Sequence, residues 1–232
     1  MRLKKQIVLV LALILTMTLT ACGGGGSKPP ASSGNNTPSG NTSTPTPANV
    51  FEYGLEYIEK NLKDNYRIVY DITTYENGDT NSVTMEQIWA KEGFYFAQDG
   101  NGMLLIKNGD NYDMYADAGN GKYEKIPISY PKDAAEAMVI GITAYMNSYA
   151  VYGSMLKKDG SETVAGRDCE KYIMEYTYPV HNYKYKYTYS IDKATGVCLK
   201  FKMDLQGEGK KIGHEFIATE FQTSGVSLPK YN

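Results

Sequence analysis

The chain has 232 residues and a formal net charge of −2, and 42% of its residues are hydrophobic. A chain of this length and composition can bury a substantial core within one domain. It has no basic stripe of the kind that binds phosphate backbones. The composition therefore argues against nucleic acid as a partner.

The first 21 residues have the layout of an export signal. Arg2, Lys4 and Lys5 precede an apolar run from Ile7 to Leu15, which matches a positively charged region followed by a hydrophobic one. The segment is short for a membrane-spanning helix, and it ends in small and hydroxyl residues instead of basic ones. We therefore predict that residues 1–21 are a cleaved signal peptide. Loss of three positive charges changes the net charge from −2 to −5.

The four residues Leu19-Thr20-Ala21-Cys22 resemble the bacterial lipobox. The resemblance implies cleavage before Cys22 and diacylglycerol, with palmitate-like chains, on its sulfur. Each buried methylene contributes about 0.8 kcal/mol, so two or three chains anchor a protein stably. We expect an extracytoplasmic protein on the outer face of the cell membrane, with an outer membrane as the other location. The alternative is an ordinary secretory signal with a chance cysteine.

The segment from Gly23 to Pro47 consists of Gly, Ser, Thr, Asn, Pro and Ala with one Lys. Such a composition cannot bury a core, so we predict that residues 22–47 are the lipidated cysteine and a disordered tether. Its root-mean-square reach is roughly 28 Å as a flexible coil. The folded domain is then predicted to cover residues 48–232.

The folded part begins with apolar residues at helical spacing from Ala48 to Leu62, which predict an amphipathic helix. Alternating strands and turns follow, among them the hairpin turn Asn77-Gly78. A second helix is predicted from Ala134 to Ala150, buried because the run has almost no charge. The predicted strands begin near Tyr66, Val83, Phe94, Met103, Tyr112, Lys122, Ser161, Cys169, Tyr183, Val197 and Gly213. This order predicts an α+β fold with an antiparallel sheet and segregated helices.

Two stretches, Gly160–Tyr172 and Ser190–Lys200, resemble the C-terminal half of LolA/LppX-like lipoproteins. The resemblance implies a curved antiparallel sheet that forms an incomplete barrel. It also implies that the N-terminal and central helices pack on the concave side. In that family the hollow accepts acyl chains or other apolar ligands.

The most distinctive segment is Tyr183-Lys184-Tyr185-Lys186-Tyr187-Thr188-Tyr189, because alternation places its tyrosines on one face of a strand and its lysines on the other. Neighbouring strands could share that face. The candidate ligand-facing residues are Tyr172, Met174, Tyr176, Tyr183, Tyr185, Tyr187, Tyr189, Leu199, Phe201 and Met203. Such a wall suits apolar chains or sugar rings. Alternatively, the helix Ala134–Ala150 covers it and the stripe is core.

Three functions remain open from the sequence. The first is binding of an apolar or amphipathic, lipid-like ligand. The second is contact with another envelope protein without a small ligand. The third is binding of cell-wall carbohydrate. No catalytic or metal-binding spacing surrounds His181 or His214, so we expect neither an enzyme nor a cofactor.

If Cys22 is lipidated, Cys169 and Cys198 remain as a pair that could form a disulfide outside the cytosol. Against pairing, strands that flank a third strand lie about 9.6 Å apart, which is beyond disulfide reach. Both outcomes remain open at this stage.

Overall fold

The computed structural model describes residues 65–119, 121–143, 149–178 and 182–231. By its internal contacts the chain divides into residues 1–49 and residues 50–232, and all described residues belong to the second part. The predicted signal peptide, Cys22, the tether and the helix Ala48–Leu62 lie outside the described residues.

Eleven strands account for most of the described chain. They are β1 (Asn65–Glu76), β2 (Asp79–Ala90), β3 (Gly93–Gln98), β4 (Asn101–Asn108), β5 (Asn111–Gly119), β6 (Lys122–Pro131), β7 (Lys157–Val164), β8 (Arg167–Tyr178), β9 (Tyr183–Asp192), β10 (Cys198–Gly207) and β11 (Lys210–Gln222). Each predicted strand is present at nearly its predicted position. Alternating side chains and turn residues are strong local signals, which explains this agreement.

All eleven strands form one open antiparallel sheet in the order β6-β5-β4-β3-β2-β1-β11-β10-β9-β8-β7. The first meander, β1–β6, and the second, β7–β11, join where β1 pairs with β11. The edge strands β6 and β7 therefore come from the middle of the chain, on either side of the described helices. The predicted antiparallel sheet is confirmed.

The second half of the sheet is curved. In a flat sheet β7 and β11 would lie about 19 Å apart, because three strands separate them. In the structure, Cα atoms of these two strands approach within 8 Å. Glu162 of β7 also reaches Ser190 of β9, at 2.5 Å, and Lys200 of β10, at 3.3 Å.

The predicted central helix differs from the observed one. Helix α1 (Lys132–Thr143) and the short helix α2 (Tyr149–Tyr152) are separate elements, followed by a 3₁₀ turn at Gly153–Met155, and residues 144–148 lie outside the description. Helix α1 is not buried all round: Ala135 and Val139 are buried, but Ala134 and Ala137 are exposed. Alanine is compatible with both buried and solvent-exposed positions of a helix. An alanine-rich run therefore does not indicate which side of the helix is buried.

Helix α1 contacts mainly β5 and β6, which are the strands that precede it. The structure therefore does not support the predicted packing of a long central helix across the second half of the sheet. None of the helices that the structure describes combines the length and apolar character needed to cross a bilayer.

The first half of the sheet has a core on the face that carries Ile88, Tyr95 and Leu104. The C-terminal segment, residues 223–231, runs over this face, and Val226 and Leu228 pack against the buried cluster. Because a chain segment covers this face, it offers little open surface. The second half of the sheet is where the candidate site lies.

Candidate ligand-binding face

The register of β8, β9 and β10 places the predicted aromatic residues side by side. Directly paired residues of an antiparallel sheet point to the same face. Tyr189, Tyr187 and Tyr185 of β9 therefore share one face with their partners on both sides. These partners are Tyr172, Met174 and Tyr176 on β8, and Phe201, Met203 and Leu205 on β10. We call this surface the tyrosine face; Lys184 and Lys186 lie on the opposite face.

The rings of the tyrosine face are in mutual contact. Tyr185 and Tyr187 stack with centroids 6.2 Å apart, and Tyr187 and Tyr189 stack at 6.4 Å. Tyr189 contacts Phe201 at 5.2 Å, and Phe201 contacts Phe216 of β11 at 5.8 Å. Each such pair contributes about 0.5–1.5 kcal/mol beyond its buried area. The rings therefore form one ordered surface across three strands.

Phe216 was not among the predicted site residues. The sequence does indicate the face on which Phe216 lies, because every second residue of β11, namely Ile212, His214, Phe216 and Ala218, points to the same side of the strand. The pairing of β10 with β11 places Phe216 beside Phe201 and extends the face to β11.

Burial changes along the tyrosine face. At one end Tyr172, Met174 and Tyr189 are buried, whereas Tyr176 and Tyr178 at the other end each keep 41% of their surface exposed. Tyr185, the cross-strand partner of Tyr176 at the open end, is half-buried. One end of the face is thus core, and the other end is open.

The buried end is covered by helix α2. The Tyr149 ring lies 6.2 Å from Tyr189, and its hydroxyl donates a hydrogen bond of 2.7 Å to the Gly196 carbonyl. Tyr152 lies 5.3 Å from Tyr187. Burial, together with the neighbouring Tyr152, raises the pKa of Tyr187. Cover by the predicted helix Ala134–Ala150 was one of the two alternatives for this face; Tyr149 lies within that range, and Tyr152 lies two residues beyond it.

Two predicted residues differ from the rest. The ring of Tyr183 lies over Gly207, and its hydroxyl donates to Glu208 at 3.0 Å, so this tyrosine fastens the ends of two hairpins together. Leu199 is buried, but a register shift between Cys198 and Lys200 interrupts the alternation there. The buried cluster around Tyr189 contains Cys198 and not Leu199.

Cys169 and Cys198 are buried free thiols in the structure and do not form the possible disulfide. Their strands, β8 and β10, flank β9. Cys169 pairs with Asp192 and Cys198 with Ile191, so the two thiols project from opposite faces of the sheet. Burial raises the pKa of each thiol to about 12, which keeps both protonated and unreactive.

The histidines differ in what the structure shows of them. His181 lies outside the described residues. His214 projects from the tyrosine face beside Met203, and burial lowers its pKa. Among the residues described, no group of three or more His, Cys, Asp or Glu side chains is placed to hold a metal ion.

No family model matches the chain, and no curated protein matches it. Solved structures are similar to it, among them three from different bacteria. The Pseudomonas aeruginosa MucA/MucB complex matches with a TM-score of 0.38 and 15% identity over 77% of this chain and 58% of that one. Lipoprotein LppX of Mycobacterium tuberculosis matches with a TM-score of 0.38 and 11% identity over 77% and 96%. A DUF1329 family protein of Desulfovibrio piger matches with a TM-score of 0.28 and 12% identity over 77% and 93%.

This chain spans less than two thirds of the matched MucA/MucB chain, 58%. LppX is among the similar structures. All three TM-scores lie below 0.5, so these likenesses establish neither a ligand nor an activity.

Proposed function

We propose that this chain is an exported lipoprotein, held on the outer face of a membrane through Cys22, that binds an apolar or amphipathic ligand on the open end of its tyrosine face. The proposed role is binding rather than catalysis. The observation that carries it is the change in burial along one ordered aromatic surface. Tyr189 is buried, while Tyr176 is 41% exposed.

The chemistry of the open end supports a ligand with an apolar body. Tyr185 and Met203 offer apolar surface to a ligand, and both are half-buried. Tyrosine adds a hydroxyl at the tip of a flat ring, and methionine adapts its shape to its neighbours. A ligand lying here would extend the aromatic contacts that α2 makes at the buried end. A fatty or otherwise amphipathic chain fits this combination.

The buried end serves as the support for this site. Tyr149 and Tyr152 hold α2 against Tyr189 and Tyr187, which fixes the ring positions before any ligand arrives. A preorganised surface loses less conformational entropy on binding. The open end is therefore built to bind without rearranging the sheet.

The anchor is tested by replacing the lipidated cysteine. We expect Cys22→Ser to move the protein from the membrane fraction to the soluble fraction and to remove the mass of the acyl chains. Ser27→Ala, in the same tether, is the matched control and should stay with the membrane. Membrane retention and an unchanged mass in the Cys22→Ser variant would refute the anchor.

The ligand is tested by native mass spectrometry on the full protein extracted from its own membrane, with lipid adducts as the expected result. Binding of a fluorescent fatty acid then locates the site. Tyr185→Ser should weaken binding about tenfold, because it removes apolar contact area. Tyr130→Ser changes another half-buried strand tyrosine, on β6, and should bind like the parent. Absence of any adduct, or equal loss in both variants, would contradict the proposal.

The second proposed function is contact with another envelope protein. The exposed pair Tyr176 and Tyr178 favours it, because tyrosine is enriched in protein interfaces. A protein that co-purifies with the parent but not with Tyr176→Ser, in the absence of any lipid adduct, would support this second function over the first.

A further inference from the structure

The tyrosine face contains a single line of rings along β9. The ring planes of Tyr185 and Tyr187 differ by 11°, and those of Tyr187 and Tyr189 differ by 6°. Residues two apart on one strand point to the same face, so these rings present one continuous strip of apolar surface. An extended apolar chain fits along such a strip.

Both flanks of this strip are apolar. The cross-strand partners of Tyr185 and Tyr187 are Met174 and Tyr176 on β8 and Met203 and Leu205 on β10. The charged residues of the same stretch project from the opposite face; they are Glu175, Lys184, Lys186 and Asp204. A sugar needs hydrogen-bond partners for its hydroxyl groups, whereas an acyl chain needs none. The described residues therefore favour an acyl chain over a carbohydrate on this strip.

The strip is closed at its buried end. Tyr149 is fully buried, lies against Tyr189 and donates its hydroxyl hydrogen bond to the Gly196 carbonyl at 2.7 Å. Tyr70 of β1 donates in the same way to the Cys198 carbonyl, also at 2.7 Å. A ligand that displaced Tyr149 would leave the Gly196 carbonyl buried without its donor, which is unfavourable. The ring of Tyr149 is therefore a fixed wall.

Tyr152 is the outer ring of this wall. It is half-buried, and its centroid lies 5.3 Å from that of Tyr187 with 35° between the ring planes. Tyr152 thus covers Tyr187 and leaves Tyr185 uncovered by α2. The other limit of the open strip is Tyr183, whose ring turns over Gly207. From Tyr183 to Tyr187 the strand spans about 14 Å, roughly the extended length of dodecanoic acid.

We propose that Tyr152 sets the length of the acyl chain that the tyrosine face accepts. The chain lies along Tyr185, with one end beside Tyr176 and its terminal methyl group against the Tyr152 ring. A longer chain leaves its additional methylene groups in water, so these groups add nothing to the affinity. This inference rests on the proposed function and adds to it a preference for acyl chains of medium length.

The test measures how affinity depends on chain length. The full chain, carrying Cys22→Ser so that no lipid is attached, is titrated with octanoic, decanoic, dodecanoic, tetradecanoic and hexadecanoic acid in competition with the fluorescent fatty acid. We expect affinity to rise up to about fifteenfold for each pair of methylene groups, as about 0.8 kcal/mol per methylene implies. The rise should end at dodecanoic acid.

Removal of the outer ring should extend this limit. With Tyr152→Ala added, the protein should bind tetradecanoic acid about tenfold more tightly than the parent, because Tyr187 becomes available to the longer chain. Both proteins should bind octanoic acid equally, since a short chain does not reach Tyr152. If the alanine variant does not fold, Tyr152→Leu gives the same test with a smaller change.

Two variants are the controls. Tyr152→Phe keeps the ring and loses only the hydroxyl, so it should keep the limit at dodecanoic acid. Tyr130→Ala removes another half-buried tyrosine ring, on β6, and should also keep it. Thermal unfolding checks that every variant is folded.

The outcomes separate this inference from the proposed function. Fatty-acid binding without a length limit, or with a limit that Tyr152→Ala leaves unchanged, would overturn the inference and leave the proposed function intact. A shift of the limit in Tyr130→Ala as large as that in Tyr152→Ala would also overturn it. No binding at any chain length would overturn both.

Discussion

At the scale of single residues, Asp192 accepts several hydrogen bonds beside the β9–β10 turn. Its side chain, 2% exposed, accepts hydrogen bonds from Arg167 Nη2 at 2.9 Å and from Thr195 Oγ1 at 2.6 Å. It also accepts the Thr195 backbone N–H at 3.1 Å. The two stretches that resemble LolA/LppX-like proteins meet in this contact, which closes the β9–β10 turn. Arg167, Asp192 and Thr195 therefore stabilise the fold and are not part of the tyrosine face.

We predict that Asp192→Ala lowers the free energy of unfolding by about 2–3 kcal/mol. The change leaves Arg167 and the Thr195 N–H without their buried acceptor, and the value is below that of a fully buried pair because Arg167 is partly exposed. Urea denaturation of the parent and the variant measures it.

Glu175→Ala is the control for this prediction. It removes a carboxylate from an exposed pair with Lys186, so the change should stay within about 0.5 kcal/mol. If the two variants were equally stable, Asp192 would not have the role described.

At the scale of elements, the β1–β2 hairpin depends on Asn77. This residue adopts φ of 53°, in the left-handed region, and Gly78 follows with φ of 106°. The Asn77 Oδ1 accepts the Lys211 N–H at 3.0 Å, and the Asn77 N–H donates to the Lys211 carbonyl at 2.8 Å. One turn residue therefore shapes its own hairpin and joins it to β11.

We predict that Asn77→Ala destabilises the protein by about 1–2 kcal/mol, because alanine disfavours positive φ and lacks the acceptor for Lys211. Asn77→Gly keeps the backbone freedom and loses only the acceptor, so its cost should be smaller. Thermal unfolding of the three proteins measures both effects. A larger loss in the glycine variant than in the alanine variant would contradict the argument.

At the scale of the whole molecule, ionisable groups define a pH range of maximum stability. Lys158 lowers the pKa of Glu170, and Lys125 lowers that of Asp113. Stability from such carboxylates is present above their unfolded pKa and is lost as the pH falls through the folded value. Burial raises the pKa of Cys169 and Cys198 to about 12. Their contribution is complete below the unfolded value of about 8.5 and is lost as the pH rises toward 12.

We therefore predict that the free energy of unfolding is highest between about pH 5 and pH 8 and decreases on both sides. Each buried thiol should contribute a slope of about 1.4 kcal/mol per pH unit above pH 8.5. Urea denaturation from pH 4 to pH 10.5 measures the profile. Replacing both cysteines with alanine should make the alkaline limb shallower, and an unchanged limb would assign the loss to other groups.

The sequence by itself determined the features that depend on neighbouring residues. These are the eleven strands, the Asn77-Gly78 turn and the alternation that separates the tyrosines of β9 from Lys184 and Lys186. Period-two alternation and turn residues act over a few positions, so they can be identified in one chain without knowing its partners.

Only the tertiary structure decided which faces are covered. The pairing of β1 with β11 joins residues far apart in the chain, and it brings Phe216 beside Phe201. The cover over Tyr189 comes from Tyr149 of α2, and a register shift removes Leu199 from the alternation. Cys169 and Cys198 point to opposite faces of the sheet. Each of these depends on the register between strands and on packing between distant segments, which local pattern does not specify.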